Sequence, residues 1–183
     1  MKETVYIMTN AEFNLDLNIA KIPDFPKPGI IFYDISPILE VPDLLKQTID
    51  TLCAKARAFQ PDLIGGIDAR GFLFATPIAY NLNCGSVMIR KSNKLPGEVI
   101  TEHYDLEYGS AELSIQKDRN LSGKRVLLID DLIATGGSLS AAESLVNMAG
   151  GSVCGALCLI ELTGLKGREK LDCPVDALQS YLY

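Results

Sequence analysis

Long apolar runs are missing from this sequence: stretches such as Ala156-Leu157-Cys158-Leu159-Ile160 stop far short of the roughly 18 to 20 residues that a bilayer span needs. No membrane association is expected. Runs of Lys and Arg are missing too, and with a net charge of -6 the chain offers no general attraction to DNA or RNA. A nucleic-acid partner is not expected, and any phosphate in a ligand has to be held by local dipoles, single cations and metal. The first residues, Met1-Lys2-Glu3-Thr4-Val5, lack the basic region, apolar core and small-residue cleavage site of a secretory signal, so a cytoplasmic protein is expected. The five cysteines, at 53, 84, 154, 158 and 173, are odd in number and without metal-site spacing, and they read as reduced core residues. The one histidine, His103, sits in a polar stretch and reads as a solvent-exposed bystander. Repeats, low-complexity tracts and Gly/Ser linkers are also absent, leaving one domain over residues 1–183 as the expectation.

Apolar residues make up 48% of the chain and charged residues 22%, enough core-forming material to exclude wholesale disorder. Between Pro42 and Phe59, the positions Leu45, Ile49, Leu52, Cys53, Ala56 and Phe59 recur at helical spacing and predict a helix with one buried face. Short apolar runs then alternate with helical stretches: Leu63 to Ile67, a helix after Gly71, Ser86 to Ile89, Val126 to Ile129, a helix sharing the face Leu139, Ala142, Leu145, Val146 and Ala149, and Cys154 to Ile160. That rhythm predicts an α/β fold with a largely parallel, twisted sheet flanked by helices.

In such sheets ligands sit beyond the carboxyl ends of the strands, which directs attention to the loops after Ile67, Ile89 and Ile129. After Ile129 the strand delivers two acids, Asp130 and Asp131, and then a small-residue turn, Ala134-Thr135-Gly136-Gly137-Ser138, into a helix starting near Leu139. Gly136 and Gly137 let backbone amides approach an anion, Thr135 and Ser138 add hydroxyl donors, and the helix aims its positive end at the same place. Neither the Gly-Lys-Ser/Thr of a triphosphatase loop nor a Gly-x-Gly-x-x-Gly fingerprint is present, so a monophosphate on a small sugar fits better. Asp130 and Asp131 suit two ribose hydroxyls or the water shell of Mg²⁺. A second loop, Asp68-Ala69-Arg70-Gly71, offers backbone donors and one cation. A third segment, about 91–109, is long, polar and bounded by glycine, and reads as a mobile lid. Residues 22–39 carry prolines that forbid a regular helix, so an extended, pinned segment is expected there.

The stretch from Val126 to Ser138 resembles the phosphoribosyl pyrophosphate signature of the type I phosphoribosyltransferases. Ile89-Arg90-Lys91, Lys94-Leu95-Pro96-Gly97 and Leu106-Glu107-Tyr108-Gly109 are similar to the adenine-using branch of that family, as is the run from Ile22 to Leu39. The resemblance covers nearly everything from Ile22 to Lys170. It implies the family fold, with a small hood mainly from residues 1–40 and the C-terminal segment, and the lid loop above it.

The implied activity is transfer of the 5-phosphoribosyl group from phosphoribosyl pyrophosphate to adenine, giving AMP and pyrophosphate. By the same resemblance Asp130, Asp131, Ala134, Thr135, Gly136, Gly137 and Ser138 hold the ribose and its 5′-phosphate. Asp68, Ala69, Arg70, Arg90 and Lys94 hold the pyrophosphate, and Ile31, Phe32, Tyr33 and Leu162 hold adenine, with Phe32 and Leu162 on its two faces. Glu107 manages the purine's proton and, with Arg70, forms the catalytic set. Mg²⁺ is the implied cofactor, carried by the substrate and water near Asp130 and Asp131 without direct protein ligands, and a homodimer is the implied assembly. Two departures stand out: Ala69 replaces the Ser usual in adenine-using members, whose loop commonly contains a cis peptide, and Tyr33 stands where many members have Arg. The rival readings are an enzyme for another base, a non-catalytic sensor of phosphoribosyl pyrophosphate, and an inactive structural homologue, against which Glu107, Arg70, Asp130, Asp131 and the cradle all stand intact.

Overall fold

The computed structural model of the chain describes residues 14–105 and 110–182. Two compact units make it up, residues 1–48 and 49–183, with the division falling inside a helix after Thr48.

The first unit is built on a small antiparallel pair, β1 (Ala20–Pro23) and β2 (Ile31–Asp34), in which Ile22 stands opposite Phe32. The turn between them contains a cis Phe25-Pro26 bond and is tied by the Gly29 N–H, which donates to Asp24 Oδ1 at 2.7 Å. A short helix, α1 (Ser36–Glu40), follows. It departs from the extended segment expected over 22–39, because Pro37 lies in the first turn, where its missing N–H has no partner to lose. Asp34 Oδ1 fixes the entry by accepting the Ser36 amide at 3.0 Å and hydroxyl at 2.7 Å.

Helix α2 (Pro42–Ala58) carries the chain into the second unit and buries Ile49, Leu52, Cys53 and Ala56, the face its spacing predicts. The second unit contains a seven-stranded sheet of β3 (Leu63–Ile67), β4 (Gly85–Lys91), β5 (Val99–Asp105), β6 (Ser110–Gln116), β7 (Arg125–Ile133), β8 (Ser152–Leu162) and β9 (Val175–Tyr181). The spatial order is β5-β6-β4-β3-β7-β8-β9, with β4, β3, β7, β8 and β9 parallel and the β5–β6 ribbon antiparallel at one edge. The parallel strands are mixed-face apolar runs because helices cover both sides. Helix α4 (Gly137–Met148) buries Leu139, Ala142, Leu145 and Val146 against Val126, Leu128 and Ala156. With side chains alternating along a strand, Leu127 and Ile129 turn to the opposite face, where α3 (Gly71–Leu82) packs on β3 and β7.

The observed elements run longer than the apolar cores that predict them. β7 continues through both acids to Ile133, and β8 to Leu162, since Leu132 and Ile133 still pair with Ile160 and Glu161. Part of the segment expected as a lid loop over about 91–109 is strand: β4 includes Lys91, and β5 pairs with β6 from Val99 opposite Gln116 to Asp105 opposite Ser110, while residues 92–98 form the loop between β4 and β5. Its polar residues are tolerated because an edge ribbon leaves one face in water, and Thr101 and Ser114 share a hydroxyl bond at 2.9 Å across it.

Helix α3 comes down hard on the sheet: a side-chain carbon on Gly71 would overlap the Ile129 carbonyl, and one on Gly66 would lie 2.8 Å from Ala75 Cβ. Gly71→Ala is therefore expected to lift the start of α3 off β7, destabilising the protein by about 2 kcal/mol and lowering Tm by roughly 4–8 °C. A thermal melt indistinguishable from the parent's would show that the contact is not tight.

Candidate active site

The strands β3 and β7 are neighbours, but the chain leaves them on opposite sides of the sheet, β3 through α3 to β4 and β7 through α4 to β8. A crevice opens at such a switch point, beyond the carboxyl ends of the two strands. Here it is a cavity of about 400 Å³ lined by Asp68, Ala69 and Arg70 after β3, by Asp130 and Asp131 on β7, and by Ala134 to Ser138 leading into α4.

The two carboxylates sit at adjacent positions on β7 and both reach the cavity, where their nearest partners differ. Asp131, 4% exposed, faces Arg70, whose Nη2 lies 3.1 Å from Oδ2 but off the line of a hydrogen bond. That buried oxygen has no hydrogen-bond partner among the described residues. Asp130, 9% exposed, accepts the Asp131 amide at 2.9 Å. Burial pushes the Asp130 carboxyl well above its usual range, and the negative charge of Asp131 pushes it the same way. Burial also raises Asp131, against the opposing pull of the Arg70 guanidinium.

The turn into α4 begins at Gly136, whose φ of 77° lies in the left-handed region that favours glycine. No side chain caps the helix, so the first amides of α4 keep their donors for the cavity. The Asp68–Ala69 peptide is cis, as the family resemblance suggests for this loop, and the Asp68 N–H donates to Ile89 O at 2.9 Å.

Other expected site residues lie elsewhere. The Arg90 side chain is turned to Asp68, with Nε 3.0 Å from Oδ2, while Nη1 donates to the Lys94 carbonyl at 3.1 Å and the guanidinium lies over the Phe72 ring. Neither Arg90 nor Lys94 lines the cavity. Leu162 ends β8 and is 6% exposed. In the first unit, Tyr33 is buried, Ile31 is 42% exposed, and Phe32 meets Phe25 edge to face at 5.2 Å. Glu107 lies outside the described residues. His103 is exposed and stands 3.2 Å from Glu112.

Four lining residues stand outside the expected site set, Ile67, Lys91, Tyr104 and Leu132, and Lys91 belongs to the Ile89-Arg90-Lys91 stretch. Tyr104 lies on β5, its hydroxyl pushed to a higher pKa by burial and by Asp130. Alternation along Ile100, Glu102 and Tyr104 is the signal for it, since a strand there turns all three to the α4 side, where Glu102 Oε2 accepts from Ser144 Oγ at 3.2 Å.

The cavity thus combines amide donors at a helix start, a guanidinium and two buried acids. It suits a ligand with a terminal phosphate, vicinal hydroxyls and a second anionic group beside Arg70. Comparison with known proteins agrees with that chemistry. Residues 36–179 match the model of the phosphoribosyl transferase domain. The chain is 49% identical to an adenine phosphoribosyltransferase of Gluconacetobacter diazotrophicus over 95% of its own length and 99% of the relative's. Among solved structures, that of adenine phosphoribosyltransferase from Thermoanaerobacter pseudethanolicus superposes with a TM-score of 0.88 at 44% identity, covering 91% of this chain and 97% of that one. The Saccharomyces cerevisiae enzyme, solved with adenine and an imino-altritol bisphosphate, gives a TM-score of 0.85 at 41% identity, covering 90% and 96%.

The raised carboxyl of Asp130 has a definite sign in stability. A folded-state pKa above the unfolded one makes ionisation costly to the native state, so stability falls as pH rises from the unfolded value through the folded one. Asp130→Asn, which keeps the Oδ1 acceptor, is expected to raise Tm at pH 7 to 8 and to lose that advantage towards pH 4. Scanning calorimetry across that range checks it, and a variant less stable than the parent at pH 8 would contradict it.

Proposed function

The chain belongs to the phosphoribosyl transferase family, and from that premise we infer how its residues divide one reaction among themselves. The protein is a purine salvage enzyme: it transfers the 5-phosphoribosyl group from phosphoribosyl pyrophosphate to adenine, giving AMP and pyrophosphate. The observation that carries this reading is the convergence of the Asp130–Asp131 pair, Arg70 and the Ala134–Ser138 turn on one cavity.

In this reading the amides of the α4 start, with Thr135 and Ser138, hold the 5′-phosphate, while Asp130 and Asp131 accept hydrogen bonds from the ribose hydroxyls. The donorless Asp131 Oδ2 fits that task, since a ribose hydroxyl would supply the missing bond. Asp68, Ala69 and Arg70 receive the pyrophosphate, whose bond to C1′ breaks as the adenine nitrogen forms its own bond there and gives up a proton. We assign that proton to Glu107, and one adenine face each to Phe32 and Leu162, with Ile31 and Tyr33 beside the base. Arg90 supports the pyrophosphate loop through Asp68, and Lys94 contributes from its neighbouring turn. Positioning and fixed charge then supply most of the rate enhancement.

Mg²⁺ bound to the substrate would neutralise charge developing on the leaving pyrophosphate. The two buried acids fit a hydrated cation, each able to accept from its water shell. No helix among the described residues is long and apolar enough to cross a membrane. A cytoplasmic homodimer is the assembly we carry forward, and sedimentation of the purified chain tests its stoichiometry.

AMP formation from adenine, phosphoribosyl pyrophosphate and Mg²⁺ is the direct assay, with hypoxanthine, guanine and uracil as competitors. Arg70→Ala and Asp131→Asn are each expected to lower kcat/KM by about 10²-fold, and chelation of the metal to abolish turnover. Glu107→Ala should lower kcat while leaving the KM for phosphoribosyl pyrophosphate nearly unchanged; unimpaired turnover would remove Glu107 from the mechanism. Binding of phosphoribosyl pyrophosphate with no reaction on any base would favour a sensor.

A further inference from the structure

We propose that Glu161 and Arg168 are positioning residues for this reaction: their fork, closed on the buried Glu161 carboxylate, holds the turn at Gly167 against the backbone of Ala134 to Gly136 and so sets the shape of the 5′-phosphate cradle. The proposal rests on the reading of residues 134–138 as that cradle.

Glu161 is 2% exposed near the end of β8. Its Oε1 accepts from Arg168 Nε at 2.6 Å, and Arg168 Nη2 closes on Oε2. The remaining arm, Nη1, donates to the Val175 carbonyl of β9 at 3.3 Å. One planar guanidinium therefore ties the ends of two neighbouring strands to the chain between them, in a geometry that a point charge would not impose. That intervening chain consists of two tight turns, Thr163–Leu165 and Gly167–Lys170, joined at Lys166, whose φ is 54°. Its far end is pinned separately, the Asp172 N–H donating to buried Glu143 Oε2 of α4 at 3.1 Å.

Between these anchors, Gly167 lies backbone to backbone on the cradle. A side-chain carbon on Gly167 would overlap the Ala134 carbonyl and stand 2.8 Å from the Gly136 nitrogen, and one on Gly136 would overlap the Gly167 carbonyl. Ala134 and Gly136 both line the cavity, so the turn at Gly167 backs the wall on which a phosphate rests. With the Arg168 side chain 49% exposed, the pair contributes little to stability by itself, and an apolar side chain can replace the buried Glu161 once its partner is also removed. What the fork adds is a fixed position for Gly167, and hence for amides whose displacement by a fraction of an ångström weakens every bond to the phosphate.

The test is the double variant Glu161→Leu/Arg168→Met, which removes both charges at similar volume, studied by calorimetric titration with ribose 5-phosphate and by steady-state kinetics. Its Tm should stay close to the parent's. The Kd for ribose 5-phosphate and the KM for phosphoribosyl pyrophosphate should each rise by about ten-fold or more, with the KM for adenine moving less than about two-fold. Parent-like affinity for ribose 5-phosphate overturns the proposal. Arg168→Lys keeps the charge and loses the fork, so it should shift the same two constants in the same direction by a smaller factor; should the double variant fail to fold, parent-like binding by this one overturns the proposal instead. Thr135→Val/Ser138→Ala separates the two levels of inference. Unchanged ribose 5-phosphate binding in that variant sinks the cradle reading itself, whereas binding lost there and kept in the double variant sinks only the positioning role.

Discussion

Two neighbouring carboxylates taken out of water at the end of a central strand set the terms for the rest of this site. A buried carboxylate is tolerated only where hydrogen bonds or an opposite charge replace its hydration. Although Asp130 and Asp131 occupy successive positions on β7, both line one cavity and both feel the Arg70 guanidinium, Asp131 more directly. Asp131 meets Arg70 from the head of α3 at 3.1 Å, while Asp130 accepts a backbone amide, feels the like charge of its neighbour and gains only a smaller opposing pull from Arg70. The fold leaves part of this demand unmet, and the unmet part lies on the cavity wall. Residual cost in the free protein of that kind becomes affinity when a ligand brings donors or a cation, which is how a binding site and a stability optimum come apart.

Delivering Arg70 to that place is a matter of topology and close approach. β3 and β7 adjoin, so the loop after β3 opens beside the acids, and α3 begins directly from it. Gly66 and Gly71 remove the atoms that would hold α3 away from the strands. Across the cavity the same device recurs between Gly136 and Gly167, again backbone on backbone. Both walls of the site are therefore positioned by contacts that any side chain would spoil, and both are locked from outside by an arginine on a carboxylate, Arg90 on Asp68 and Arg168 on Glu161.

Legibility in the sequence follows burial. The strands and helices around the switch point announce themselves because two-sided burial demands unbroken Val, Ile and Leu, and one-sided burial demands helical spacing. The cradle and the acid pair are legible for a different reason, since their residues are contiguous. Where contacts cross the chain, the signal fails. Nothing in the neighbouring residues links Glu161 to Arg168, and only the fold shows Glu161 to be buried and joined to it. β5 reads as loop because polar residues such as Thr101 and His103 alternate along an edge strand with those facing α4, and Tyr104 is missed with it. Pro37 reads as a helix breaker, although one position inside the first turn makes it a helix starter. The acids themselves lie in β7 rather than beyond it, because strand length is set by the partner β8, which the local sequence of β7 does not contain.

An acidic protein that binds a polyanion must keep its positive potential local. With a net charge of -6 there is no long-range field to draw phosphates in. Arg90 is already engaged with Asp68, so within the described cavity the cations are Arg70 and Lys91, assisted by the amides at the start of α4. Against them stand two carboxylates in the same wall. Such a balance is poor for a bare polyanion and better for one that arrives with its charge partly neutralised, with hydroxyls to offer the acids. The cavity is thus matched to the whole set of groups on the substrate: amides for the terminal phosphate, acids for sugar hydroxyls and a metal's water shell, and a guanidinium for the leaving group. No one of these contacts distinguishes the substrate, and the selectivity of the site lies in their fixed spacing, which the glycine contacts and the two outer ion pairs maintain.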